Sequence, residues 1–286
     1  MTLEDLLKAK NLNFEVYMLP TFATFGSELK EVPDNKAVIR ADTHKPMCGV
    51  GGAYEAKSYK SILEPFDTLI GQEQIQPIDV YSERGGARAH VRFRVPGIKI
   101  SVGELELGQE FLVTTSHDGT SYWTLTMHAK DPQGRLYPVG EVGSKKIKHT
   151  KTIHAKIAAL SDLFGSLMKE WHSFEERARG SLNVAINEEE AKQIIAKVFP
   201  TLDTEKSAKI TSAVLQKWHG SVFPTHRTSV FGLYVAVCNF AEENRRVRMT
   251  KQRVRSGDQL HDIKAISNMV DKKLFSMWAI VTEMVS

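Results

Sequence analysis

The sequence is poor in cysteine and has no long apolar run. Its two cysteines, Cys48 and Cys238, form no CxxC pair, so neither a zinc site nor a disulfide framework is indicated, and both are expected to be small buried hydrophobes. The most apolar stretches are interrupted by polar residues at helical spacing, which excludes membrane spans. The start, MTLEDLLKAK, contains acids and does not resemble a secretory signal. These absences predict a cytoplasmic protein with no membrane partner.

The common catalytic motifs are also missing. There is no P-loop, no GxGxxG after a strand, no GxSxG and no HExxH, which argues against nucleotide hydrolysis and the usual hydrolase mechanisms. GVGG at 49–52 lacks a following Lys-Ser/Thr and is predicted to be a turn. Of ten histidines, His149 and His154 lie five apart and would not share a helix face. We therefore predict no catalytic residues, no metal and no cofactor, although a nuclease stays open as an alternative.

Apolar residues make up 42% of the chain, enough for a substantial core. The pattern changes character near Thr150: short runs rich in β-branched residues come before it, and a period near 3.6 follows it. This predicts an α+β fold, in which an antiparallel sheet with a β-hairpin packs on a long helix and a helical C-terminal part follows. The predicted division is an α+β core over 1–180 and a helical region over 181–286.

Individual elements follow from the same patterns. A short N-terminal helix, a strand at KAVIRA and a helix at SYKSILEPFDTLI come first. Asp118 and Gly119 predict the turn of a hairpin. The strands of the sheet are predicted at 76–82, 88–102, 110–117, 121–129 and 136–142, and the later helices at 151–179, 187–199, 203–219, 228–244 and 258–284.

Positive charge is unevenly distributed, although the net charge is only +4. Three segments contain several cations and no acid: Arg84 to Lys99 with five Lys or Arg, Lys145 to Lys156 with five Lys, and Arg245 to Arg255 with six. Clustered cations of this kind attract polyanions.

The first basic segment contains a strict alternation. Arg88, His90, Arg92 and Arg94 would share one face of a strand, with Ala89, Val91, Phe93 and Val95 on the other. A solvated face is one interpretation, and phosphate binding by Arg88, Arg92 and Arg94 is the other. Like charges at alternate positions repel slightly unless an anion compensates them.

The second segment precedes the long predicted helix. Cations at a helix N-terminus oppose the macrodipole, whereas lysines together with exposed amides form an anion site. Phosphate contacts are therefore predicted for Lys145, Lys146, Lys148 and Lys151. Tyr122, Trp123 and Tyr137 could stack on bases or could equally be core residues. For the third segment, a solvated loop and a second nucleic-acid contact through Arg245, Arg246 and Arg248 are equally consistent with the pattern.

Several short motifs resemble a known family. RADT from Arg40, CGVGGAY ending at Tyr54, TTSHDGT with His117 and Asp118, KHT at Lys148, and SVFGLYVAVCNFAEENR with Asn239 occur in the order found in the phage- and plasmid-borne domain of unknown function 932 family. The resemblance spans about residues 37 to 280. One departure is LTMHAKDPQGRL, where members carry an Arg…Cys-x-Asn element. Membership implies a mobile-element context without implying a chemistry.

The order of elements is similar to that of single-strand annealing proteins of the RecT/Redβ type. That resemblance implies rings or filaments that hold single-stranded DNA by its phosphates in a groove between the sheet and a helical layer. We therefore expect a non-enzymatic, homo-oligomeric protein that binds and anneals single-stranded DNA in phage or plasmid recombination, with host or phage recombination proteins as possible partners. The alternative is a mobile-element factor that binds a host or replication protein, as a regulator or an anti-defence factor.

Overall fold

The computed structural model describes residues 2–119, 123–139, 160–245, 249–269 and 272–285. Within them lie two antiparallel sheets and ten α-helices, which confirms the α+β prediction and the helical C-terminal part. No helix in the described ranges is long and apolar enough to cross a membrane.

The first sheet has three strands in the order β1-β2-β3. They are β1 (Val16–Phe25), β2 (Glu28–Arg40) and β3 (Pro46–Gly51). The prediction captured only the end of β2. Gly49 lies in β3, where Cys48 and Gly49 pair with Val38 and Ala37 of β2, so the prediction of a turn is wrong for this residue. The predicted turn is present only at the end of GVGG, where the Tyr54 amide donates to the Gly51 carbonyl at 3.0 Å.

The second sheet has five strands in sequence order. They are β4 (Gln76–Glu83), β5 (Arg88–Val102), β6 (Leu105–Ser116), β7 (Thr124–Lys130) and β8 (Leu136–Pro138). The predicted hairpin is confirmed: β6 and β7 pair antiparallel up to Thr114 and Thr124, and Gly119 has a φ of +66° after the end of β6. β5 has the bounds predicted for it.

Helices precede and follow this sheet. Before it lie α1 (Leu3–Ala9), α2 (Tyr59–Leu63) and α3 (Pro65–Gly71). After it come α4 (Leu160–Leu182), α5 (Glu188–Val198), α6 (Thr204–His219), α7 (Val230–Asn244), α8 (Lys251–Ser256), α9 (Leu260–Met269) and α10 (Lys272–Val285). The single helix predicted over 258–284 is thus described as two helices, α9 and α10.

The core is continuous from the second sheet into the helices. Val91 and Phe93 of β5 belong to the same buried cluster as Trp171 of α4, Tyr234 of α7 and Trp278 of α10. Phe66 of α3 stacks on Phe93, with ring centroids 5.0 Å apart. The other face of the sheet is polar, and α9 packs on it through Ile266, which contacts Tyr81 and Leu112.

Candidate nucleic-acid interface

The predicted alternation on β5 is present, but its polar face is not of one sign. Ala89, Val91 and Phe93 are buried in the core, and Arg88, Arg92 and Arg94 lie on the opposite face. The neighbouring strands place Glu83 and Glu110 on that face as well. Sequence alone could not show this, because the compensating acids come from β4 and β6 and not from β5.

Arg92 is compensated by Glu110 of the adjacent strand. Its Nε lies 3.2 Å from Glu110 Oε2, and its guanidinium donates to the Tyr81 hydroxyl at 3.1 Å. Lys130 of β7 lies 3.0 Å from the other oxygen of Glu110. Arg94 remains exposed and donates from Nε to Gln76 Oε1 at 2.8 Å. Of the three predicted arginines, Arg94 therefore has the most accessible side chain.

Glu83 joins the first and third basic segments. One carboxylate oxygen lies 3.0 Å from an Arg88 nitrogen, and the other lies 3.2 Å from Arg253 of α8. Burial alone would raise the pKa of Glu83, but His90, Arg88 and Arg253 together lower it to about 2. Glu83 is therefore ionised at neutral pH and holds two arginines that are 165 positions apart in the sequence.

His90, the remaining polar residue of the alternation, differs from the arginines. It is buried, its Nδ1 lies 2.9 Å from Thr114 Oγ1, and burial lowers its pKa despite the nearby Glu83. Because burial disfavours the charged form of the ring, His90 is a weaker candidate for an anion contact than the arginines.

The turn formed by residues 84–86 lies next to these arginines and has a strained backbone. Arg84, Gly85 and Gly86 all have positive φ, between +55° and +91°, a region that costs a residue with a side chain about 1–2 kcal/mol. Arg84 donates to Asp118 at 2.7 Å, and Asp118 is part of the hairpin motif HDG. The backbone N–H of Gly85 donates to Asp258 at 3.2 Å, so the segment after α8 also contacts this turn.

Arg40 of the RADT motif reaches the same turn. It forms a bidentate pair with Asp42 at 2.7 and 2.9 Å and donates to the Gly85 carbonyl at 3.3 Å. Its guanidinium also lies 3.9 Å from the centre of the Phe14 ring.

The remaining motif residues of the first half converge nearby. The Cys48 thiol donates to the His117 carbonyl at 2.9 Å, and the Tyr54 hydroxyl donates to the Ser116 carbonyl at 3.0 Å. The Tyr59 hydroxyl donates to the Gly86 carbonyl at 2.8 Å, and its ring lies 4.1 Å from that of His117. Burial, followed by the charge of Asp118, raises the pKa of Cys48 to about 11, so it is a thiol at neutral pH and a poor nucleophile. The motifs thus hold the hairpin, β3 and the 84–86 turn together.

We name the charged groups around this turn the arginine cluster. Its cations are Arg40, Arg84, Arg88 and Arg253, and its acids are Asp42, Glu83, Asp118 and Asp258. Lys251 and Arg255 are exposed on α8. Sequence reasoning missed Arg40, Arg84 and Arg253 as parts of one site, because they come from three separate segments.

Other predicted contact residues lie elsewhere. Lys145, Lys146, Lys148, Lys151, Arg246 and Arg248 fall outside the described residues. Arg245 is half-buried after the end of α7, and burial lowers its pKa. Trp123 and Tyr137 are buried in the core, which excludes them as open stacking platforms, and Tyr122 falls outside the described residues. Asn239 and Tyr137 line a separate cavity of about 370 Å³ between β8 and the helices.

The fold and this cluster define an α+β protein in which the motif residues of the first half of the chain converge on one charged turn. The chain belongs to the family described as Domain of unknown function (DUF932), whose model matches residues 47–129 and 137–261. No curated protein and no solved structure matches it significantly.

Proposed function

We propose that this protein binds the phosphate backbone of single-stranded DNA and anneals complementary strands, as a homo-oligomer in phage or plasmid recombination. The observation that supports this most is the meeting of the first and third basic segments at Glu83. Arg88 and Arg253 pair with the same carboxylate, which brings both segments to one edge of the polar sheet face.

Positive charge next to the arginine cluster favours an anion. The four arginines and four acids of the cluster balance, and Lys251 and Arg255, which are exposed on the same helix as Arg253, add two positive charges. A guanidinium has five N–H donors, so an arginine held by a carboxylate through one or two of them can also donate to a phosphate. The carboxylates would then act as supports that fix the arginines in position.

The lysines that precede α4 supply the second part of the proposed surface. No acid occurs in the segment that contains Lys145, Lys146, Lys148 and Lys151. Each phosphate that these lysines neutralise would release counterions from the DNA. Arg94, Arg245, Arg246 and Arg248 are proposed as further contacts. Annealing needs no nucleotide hydrolysis, because pairing of the two strands provides the free energy.

Binding is tested by fluorescence anisotropy with a labelled single-stranded oligonucleotide. The variant Lys251→Glu/Arg255→Glu is expected to weaken binding about tenfold or more, which corresponds to ~1.4 kcal/mol. Its matched control is Lys206→Glu/Lys209→Glu on α6, where both lysines are exposed. The control changes the net charge equally and is expected to bind nearly as well as the unmodified protein.

Salt dependence and annealing complete the test. If about five phosphates are contacted, log K should fall with log salt with a slope of about −3.5. Lys145→Glu/Lys148→Glu should reduce that slope, and the protein without ATP should accelerate pairing of complementary oligonucleotides. Salt-insensitive affinity, or equal losses in the α8 and α6 variants, would contradict binding at the arginine cluster.

A further inference from the structure

The strands β1 and β2 extend beyond the core as an exposed ribbon. From Pro20 to Lys36 no residue is buried, and only Thr21, Ala23 and Val32 are half-buried. Five large hydrophobic side chains are nevertheless exposed on β1 and β2: Tyr17, Leu19, Phe22, Phe25 and Leu29, with exposed fractions from 37% to 67%. We call residues 16–36 the apolar ribbon.

Such a ribbon gains little stability by itself. A two-stranded hairpin is marginal in water without a surface to pack on, and grouped exposed apolar side chains usually mark an interaction site. In a single chain, the apolar side chains whose burial would stabilise the ribbon therefore remain exposed to solvent.

The outer strand of the ribbon is unprotected against pairing. β1 is an edge of its sheet, and VYMLPTFATF contains no charged residue. Natural edge strands are commonly blunted by lysine or other charges, because an edge otherwise accepts another strand. Pro20 and the register shift between Pro20 and Phe22 interrupt the strand once and leave a short segment on each side.

Charge argues against a polyanion as the partner, and the uncharged β1 favours a second copy of this chain. The ribbon carries Glu28, Glu31 and Asp34 against Lys30 and Lys36, a net charge of −1. That sign disfavours nucleic acid or an anionic membrane at the ribbon. Because β1 is uncharged, two copies can also pair without placing like charges opposite each other.

We propose that β1 of one copy pairs antiparallel with β1 of a second copy about a two-fold axis. The two three-stranded sheets would become one six-stranded sheet, and the exposed aromatic side chains of each ribbon would pack on the other. A two-fold axis makes such an interface self-complementary. The pairing deepens the homo-oligomer of the proposed function by naming its surface, and it does not depend on DNA binding.

The test is the mass of the purified full chain without nucleic acid, measured by light scattering after gel filtration. The unmodified protein is expected to have at least twice the mass of the 32.1 kDa chain. Leu19→Lys/Phe22→Lys places charges along the paired edge and should shift the mass to that of one chain, raising the dimer dissociation constant about tenfold or more.

The control is Leu202→Lys/Val222→Lys, which alters two residues of the helical part. Their exposed fractions, 103% and 80%, are larger than those of the ribbon side chains. It should leave the mass unchanged, and far-UV circular dichroism checks that both variants fold. A second ribbon variant, Phe25→Ser, adds no charge and should weaken association less.

Three outcomes would overturn the proposal. They are an unmodified protein that is monomeric at all concentrations, a ribbon variant that associates as well as the control, and association that occurs only after single-stranded DNA is added. Failure of DNA binding with intact dimerisation would contradict the proposed function alone.

Discussion

At the scale of single residues, the 84–86 turn is the most constrained part of the described protein. Three successive residues adopt positive φ there, and the turn is held by Arg40, Tyr59 and Asp258. A Cβ built on Gly86 would lie 3.2 Å from an Arg40 nitrogen and 3.3 Å from both Leu12 and Phe14. Glycine is required here because both the backbone angle and the space exclude a side chain.

Gly86→Ala is accordingly expected to lower the free energy of unfolding by about 2–5 kcal/mol, since backbone strain and overpacking add. Gly97→Ala is the control: Gly97 also has positive φ, at +74°, but its Cβ would meet nothing within 4 Å. The control should lose only about 1–2 kcal/mol. Urea unfolding measures both, and equal losses would mean that the contacts with Arg40, Leu12 and Phe14 do not limit the site.

Glu83 makes the stability of this site depend on pH. Its pKa is about 2 in the folded protein against an ordinary value of about 4.5 for a glutamate, so the unfolded chain takes up the proton first as the pH falls. The stability that the ionised carboxylate contributes is present above pH 4.5 and is lost between about 4.5 and 2. The shift corresponds to about 3 kcal/mol.

Glu83→Gln removes this titration. Its free energy of unfolding should be lower than that of the unmodified protein at pH 7, and the difference should shrink as the pH approaches 3. Urea unfolding across this pH range provides the measurement. A difference that stays constant would show that the ionised carboxylate does not hold Arg88 and Arg253.

At the scale of elements, periodicity and caps predicted α5, α6 and α7 to within two residues at each end, whereas α8 lies in the third basic segment, where no helix was predicted. α5 begins at a capping box, in which Asn187 Oδ1 accepts from the Glu190 amide at 3.0 Å and Glu190 Oε2 accepts from the Asn187 amide at 2.8 Å. Asp203 caps α6 through a single hydrogen bond, which its carboxylate accepts from the Lys206 amide at 2.9 Å. The strands of the first sheet were largely missed because β1 and the outer part of β2 are exposed on both faces and therefore show no apolar alternation.

Loss of a cap should be measurable on one helix. Asn187→Ala is expected to cost about 1 kcal/mol of unfolding free energy, because the first-turn amide loses its acceptor. Gln193→Ala changes an exposed residue of the same helix to another good helix former and should leave stability nearly unchanged. Comparable losses in the two variants, in urea unfolding, would argue against the capping box as the source of the effect.

At the scale of the whole molecule, one core joins the sheet to the helices. Trp278 of α10 packs against Phe174 of α4, with ring centroids 4.7 Å apart, and against Tyr234 of α7 at 5.1 Å. α4 also contacts β5. The predicted boundary at residue 180 falls within α4, which ends at Leu182.

Trp278→Ala should therefore destabilise the sheet and the helices together, by about 3–5 kcal/mol. Far-UV circular dichroism reports mainly on the helices, and the fluorescence of buried Trp123 reports on the sheet once the helical Trp171 and Trp218 are replaced by Phe in both proteins. Both urea transitions should shift by the same amount. A sheet signal that unfolds at its original urea concentration would indicate that the two parts are stable separately.

The sequence by itself determined the α+β class, the hairpin turn, the bounds of β5 and most helices, because periodicity, caps and turn residues act locally. It also identified the basic segments and the family motifs. Only the tertiary structure decided what those charges face. Glu83 and Glu110 meet the β5 arginines through strand pairing, and Arg253 reaches Glu83 from far along the chain. The alternating arginines of β5 are therefore compensated on the sheet, because side chains that are distant in sequence become neighbours only after the strands have paired.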